Sequence, residues 1–121
     1  MGRVRALIVD DDDPIRDMLA TVVRQQGFSV DTARDGREAI EKFKGGSYHV
    51  ILLDLMMPHV NGYDVLRYIE TNSPDLLRRT IVATAVPERE LAKLSDKIFS
   101  VHFKPFELLR LLEDIHRCAA A

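Results

Sequence analysis

Short apolar runs alternate with stretches of helical spacing along the whole chain, and this alternation narrows the fold more than any other feature. The runs cover residues 4–9, 28–33, 49–54, 80–84 and 98–103. Strands separated by helix-length segments cannot be joined as hairpins; they pair in parallel through crossover connections. The run "HVILLD" lacks apolar–polar alternation and reads as a strand covered on both faces, whereas residues 28–33 alternate. Right-handed crossovers leave few strand orders, of which the flavodoxin-like 2-1-3-4-5 is favoured. The expected fold class is α/β, a (βα)5 doubly wound parallel sheet formed by residues 1–121 as one domain.

The helical stretches carry their own punctuation. Asp13-Pro14 predicts an N-cap with proline at the first helical position, Ile15, Met18, Leu19, Val22 and Val23 follow at helical spacing, and Gly27 ends the helix. A second helix over 36–44 is expected to bury Ala39, Ile40 and Phe43, and a third Val65, Leu66 and Ile69. A weak fourth covers 88–95, with only Leu91 and Leu94 as core positions. Pro105 is expected to open the last helix, whose buried stripe is Leu108, Leu111, Leu112 and Ile115.

Composition excludes several classes. A chain of 121 residues, 46% hydrophobic and 30% charged, can bury a core and has the make-up of an ordinary globular protein. A net charge of −2 with dispersed Lys and Arg argues against nucleic acid or a membrane surface as direct partner. No run reaches the ~18 apolar residues of a membrane span, and no secretory signal precedes the first strand. The lone cysteine, Cys118, cannot form an internal disulfide; a cytoplasmic location is expected. Residues 118–121 formally match a prenylation box, but they read as the last turn of a helix, and Ala6 departs from a myristoylation signal after Gly2.

The first strand ends in four consecutive aspartates, Asp10 to Asp13. Two half-buried carboxylates about 4 Å apart repel by roughly 4 kcal/mol, so such a run wastes stability unless it is used. In a sheet of this order the functional crevice lies beyond the carboxyl ends of the strands, where the order reverses. Asp10, Asp11 and Asp54 end the first and third strands, Thr84 the fourth and Lys104 the fifth. Clustered carboxylates without nitrogen or sulfur ligands suit a hard cation, Mg2+ before Zn2+. A lysine beside them can bind phosphate, and a carboxylate held against both can attack phosphorus.

Asp10-Asp11, Asp54 in "LLDLMMPHVNG", Thr84-Ala85 and Lys104-Pro105-Phe106 fall at successive strand ends. In that order and near that spacing, the chain resembles the receiver domains of two-component response regulators over almost its whole length. The resemblance implies Asp54 as phosphoryl acceptor, with Asp11, Asp54 and the Met56 backbone carbonyl ligating Mg2+ (Mn2+ as a substitute) and Asp10 acting mainly through a bound water. It further implies that Lys104 binds a phosphoryl oxygen, that Lys104–Pro105 is cis, and that the Thr84 hydroxyl turns toward the phosphoryl group. The implied partners are a sensor histidine kinase or histidine phosphotransfer protein upstream and an effector protein or output domain downstream. A phosphorylation-linked dimer is a further expectation. With no output segment after the last helix, the chain is expected to be a stand-alone receiver or one excised from a longer regulator.

Taken singly, each residue has a blander role. Asp12 and Asp13 read as capping or solvated, Asp54 as a turn residue, Thr84 as a strand former and Gly62 as turn geometry. The histidines His49, His59, His102 and His116 lack metal-site spacing and read as structural or exposed. Leu109 reads as a scattered surface leucine. Two departures from the family stand out: Val101 occupies a position where receivers commonly carry Tyr or Phe, and Val86 offers nothing to orient a water, which predicts slow self-dephosphorylation. An alternative function is a Mg2+-dependent phosphatase with an aspartate nucleophile, but "DDDDPI" supplies only Asp11-x-Asp13-x-Ile where that class needs Asp-x-Asp-x-Thr or -Val. A flavodoxin-like nucleotide binder would set its phosphate against four aspartates. An enzyme acting on other molecules is therefore not expected.

Overall fold

A computed structural model describes residues 3–57, 60–92 and 96–121. Five parallel strands, β1 (Arg5–Val9), β2 (Ser29–Ala33), β3 (Val50–Leu53), β4 (Thr80–Thr84) and β5 (Ser100–Phe103), form one sheet in the order β2-β1-β3-β4-β5. The expected order is borne out. Every pairing is parallel, with Ala6 opposite Val30 and Val50, Leu52 opposite Ile81 and Val82 opposite Val101.

Strand alternation divides the core in two. Leu7, Val9, Ile51, Leu53 and Val82 face α2 (Gly36–Gly45) and α3 (Gly62–Asn72) and form the upper core. Ala6, Ile8, Leu52, Ile81 and Ala83 face α1 (Asp13–Gln25) and α4 (Leu108–Ala120) and form the lower core. Residues Val50 to Leu53 are buried on both faces, as a central parallel strand requires.

Several boundaries differ from expectation. Asp12, one residue earlier than predicted, caps α1: its backbone is extended and its carboxylate accepts the Ile15 amide at 3.0 Å, while Asp13 turns to Arg16 instead. Met18 is 40% exposed and lies beside the buried stripe of Leu19, Ala20 and Val23. Gly27, at φ +97°, ends α1 as expected.

Of the expected fourth helix, the described residues Glu88–Leu91 form a 3-10 turn in which only Leu91 is buried; Leu94 lies outside the described residues, as does His59. Pro105 does not open α4, which begins at Leu108 after Glu107; Phe106 first packs against the lower core. A second 3-10 turn, Pro74–Arg79, carries the chain from α3 to β4 and was not signalled by periodicity. Cys118 is buried inside α4, where burial pushes its thiol up to about 11.

Candidate functional site: an acidic cluster at the strand ends

The backbone ladder continues one residue past β1, β3 and β5 and so grips the polar residues that follow. Asp10 donates its amide to Ala33 at 3.1 Å, Asp54 to the Val9 carbonyl at 3.0 Å, and Lys104 to the Thr84 carbonyl at 2.8 Å. Each side chain therefore leaves a rigid strand end, with its direction set by the strand before it. Gly62 closes the loop after β3. A Cβ there would lie 2.4 Å from Leu55 Cα and 2.5 Å from the Asp54 carbonyl oxygen, so close backbone approach, not a positive φ, requires the glycine.

Carboxylate oxygens of Asp10, Asp11 and Asp54 lie within 4.8 Å of one another. Asp10 and Asp54 are 3% and 4% exposed, whereas Asp11 stands in solvent. Lys104 bridges the buried pair, its Nζ 2.9 Å from Asp10 Oδ2 and 3.1 Å from Asp54 Oδ2. The remaining oxygens are also held: Asp10 Oδ1 accepts the Asp12 amide at 2.9 Å and Asp54 Oδ1 the Met56 amide at 3.0 Å. Burial lifts the Asp10 carboxyl above the usual carboxylate range, although the Asp12 amide and Lys104 pull it back. Burial also pulls the Lys104 ammonium down, but hydrogen bonds to Asp10 and Asp54 and the charge of both outweigh it and leave its pKa raised. The ammonium is thus charged and fixed.

Thr84, fully buried at the end of β4, accepts the Val86 amide on its hydroxyl at 3.3 Å. Val86 itself packs into the upper core. Val101 and Phe103 of β5 lean on that same core, while His102 faces α4 and meets Asp114 at 2.7 Å. His49 accepts the Arg5 amide and His116 contacts Gln26, in keeping with structural or surface histidines. Leu109 is 76% exposed. The Lys104–Pro105 peptide is cis.

The oxygen-only donor set fits a hard divalent cation, and the Asp11 carboxylate, without a partner among the described residues, leaves one ligand unspent. Sequence reasoning missed Arg16, which donates to the Asp10 carbonyl at 2.9 Å and pairs with Asp13. The Asp13-to-Arg16 spacing, one helical turn, was the signal available.

A parallel sheet of this order with acidic residues and a lysine gathered at its carboxyl edge defines a class of signalling domain. The model of the response regulator receiver domain matches residues 6–116, and the chain belongs to that family. It is 33% identical over 110 residues to Response regulator RR06 of Streptococcus pneumoniae, covering 90% of this chain and 50% of that protein. Response regulator protein TrrA of Thermotoga maritima, solved in complex with Mg(2+)-BeF, matches with a TM-score of 0.83 and 30% identity over 95% of this chain and 98% of the other. Chemotaxis protein CheY4 of Vibrio cholerae matches with a TM-score of 0.86 and 27% identity, over 97% and 99%. The chain spans half the length of its curated relative RR06. No helix among the described residues is long and apolar enough to cross a membrane.

Proposed function

We propose that this chain is a phosphoacceptor module of a two-component relay, one receiver domain over residues 1–121, which takes a phosphoryl group on Asp54 from a histidine kinase or a histidine phosphotransfer protein. The observation that carries this function is the buried Asp54 carboxylate held 3.1 Å from the Lys104 ammonium, with two further carboxylates within 4.8 Å. Geometry alone leaves Asp10 and Asp54 similarly placed; the resemblance to receiver domains favours Asp54, directly after β3, as the acceptor.

In the transfer, an Asp54 carboxylate oxygen bonds to phosphorus as the donor's N–P bond breaks, and the imidazole leaves with the electron pair. Lys104 moves from carboxylate to phosphoryl oxygen and balances the charge that arrives. Asp11, Asp54 and the Met56 carbonyl would hold Mg2+, with Asp10 acting through water; Mn2+ would substitute. The bound cation supplies positive charge that lets an anionic donor approach three carboxylates. TrrA, 30% identical, was solved in complex with Mg(2+)-BeF, which supports a magnesium site in this chain. The Thr84 hydroxyl gives up the Val86 amide and turns toward the phosphoryl group, which brings about −1.5 to −2 of charge and three acceptor oxygens to the loop. That movement reaches the downstream effector or output domain, or a second copy of the chain, across the face of β5. Here Val101 replaces an aromatic, so the switch runs without a ring flip. The cytoplasm, where such kinases present their phosphohistidine, is the proposed location.

Asp13 pairs with Arg16 instead of joining the acidic group, which disfavours the phosphatase alternative. Acetyl phosphate with Mg2+ tests the assignment by mass spectrometry. Wild type gains one phosphoryl group, Asp54→Asn gains none, and phosphate release slows after one equivalent. Full modification of Asp54→Asn, or sustained turnover of a phosphomonoester, refutes it.

A further inference from the structure

Three of the four successive aspartates have separate partners, and one basic side chain ties the first to the last. Asp10 shares its carboxylate between the Asp12 amide and Lys104, and Asp12 turns to the Ile15 amide. Asp13 pairs with Arg16. Only Asp11 has neither a hydrogen bond nor an ion pair among the described residues. Arg16 is 14% exposed despite its charge, and its second nitrogen donates to the Asp10 carbonyl at 2.9 Å. A guanidinium is a rigid fork, so gripping a carbonyl and a carboxylate three residues apart fixes the chain between them. Asp11 sits in that interval.

We propose that Arg16 is a positioning residue for divalent-cation binding: it clamps residues 10–13 so that the Asp11 carboxylate faces Asp10 and Asp54. The inference rests on the acidic group being a Mg2+ site.

Two simpler roles make opposite or null forecasts. As a bare charge, Arg16 repels Mg2+, so its removal tightens binding. As a mere structural tie, its loss lowers the melting temperature equally in EDTA and in saturating Mg2+ and leaves affinity unchanged. As a clamp, its loss weakens binding.

Titration calorimetry of the full chain with MgCl2 separates these. Arg16→Gln is expected to weaken Mg2+ about tenfold, the lower end of the effect of losing an outer-shell partner. Arg16→Lys keeps the charge but not the fork and falls between. Hydrogen exchange of the metal-free protein adds a second readout: in Arg16→Gln the Asp12 amide exchanges faster while β3 amides stay unchanged. Tighter or unchanged Mg2+ affinity in the folded variants, or unchanged Asp12 protection, overturns the clamp. If wild type takes up no Mg2+, the metal site fails and the inference with it. That result differs from a binding wild type with indifferent variants.

Discussion

Replacing Lys104 with methionine removes one charge while keeping most of the stem, and it tests the electrostatic design directly. The ammonium stands 2.9 Å and 3.1 Å from two carboxylates whose side chains are 4% and 5% exposed. Gross attraction is roughly 5–6 kcal/mol per contact at an effective dielectric of about 20, but the burial of three charges offsets most of it. Breaking such a buried set by removing one partner costs about 3–5 kcal/mol. Asp10 can relieve part of the strain by taking a proton, so the lower end, about 3 kcal/mol at neutral pH, is expected. At about 2.1 cal/mol/K of unfolding entropy per residue, a chain of 121 residues then loses about 12 °C in melting temperature.

The pH dependence has a definite sign. Asp10 already titrates above its unfolded value of 3.8, and losing Lys104 lifts it further. A raised carboxyl is a penalty at any pH above its folded pKa, and the penalty fades as pH falls toward the unfolded value. Lys104 itself, raised above 10.5, is charged throughout this range. The gap between wild type and Lys104→Met in EDTA should therefore narrow on acidification. Mg2+ should also recover more stability in the variant, because the competing ammonium is gone. Thermal melts by circular dichroism at neutral and mildly acid pH, with EDTA or saturating MgCl2, measure all three effects. A variant as stable as wild type in EDTA at neutral pH, or a gap that widens on acidification, refutes the reasoning.

Gly62→Ala should cost about 1–3 kcal/mol and slow acetyl-phosphate labelling, since its methyl must displace the backbone at Leu55 and Asp54; an unchanged melt would count against the close approach. Loss of the phosphoryl group from labelled wild type should be slow, because Val86 is apolar and buried where a water-orienting group could otherwise stand; a half-life of seconds, followed by mass spectrometry, would contradict it.

The sheet was legible because its strands are short apolar or alternating runs set between helical stretches, and the site because its residues close four of them. What escaped depends on choices between equivalent partners. Asp12 and Asp13 are both fit to cap α1, and only the turn of Asp13 toward Arg16 decides between them. Phe106 could begin a helix, yet its contact with the lower core delays α4 to Leu108. Just after Pro87, the described residues Glu88–Leu91 have Leu91 as their one buried anchor and form a 3-10 turn. Arg5, Asp31 and Tyr48 also meet, with both Arg5 Nη2 and the Tyr48 hydroxyl 2.8 Å from one Asp31 oxygen, and no local pattern joins residues so distant in sequence.

Lys104 stands 94 positions after Asp10 and 50 after Asp54. During synthesis on the ribosome, the two acids emerge long before their counter-ion. Until the final strand is threaded beside β4, they oppose the docking of β1 on β3 with uncompensated charge. Arrival of β5 thus completes the electrostatic closure, and in a fragment cut short before it a proton on Asp10 or an external cation would have to stand in for Lys104.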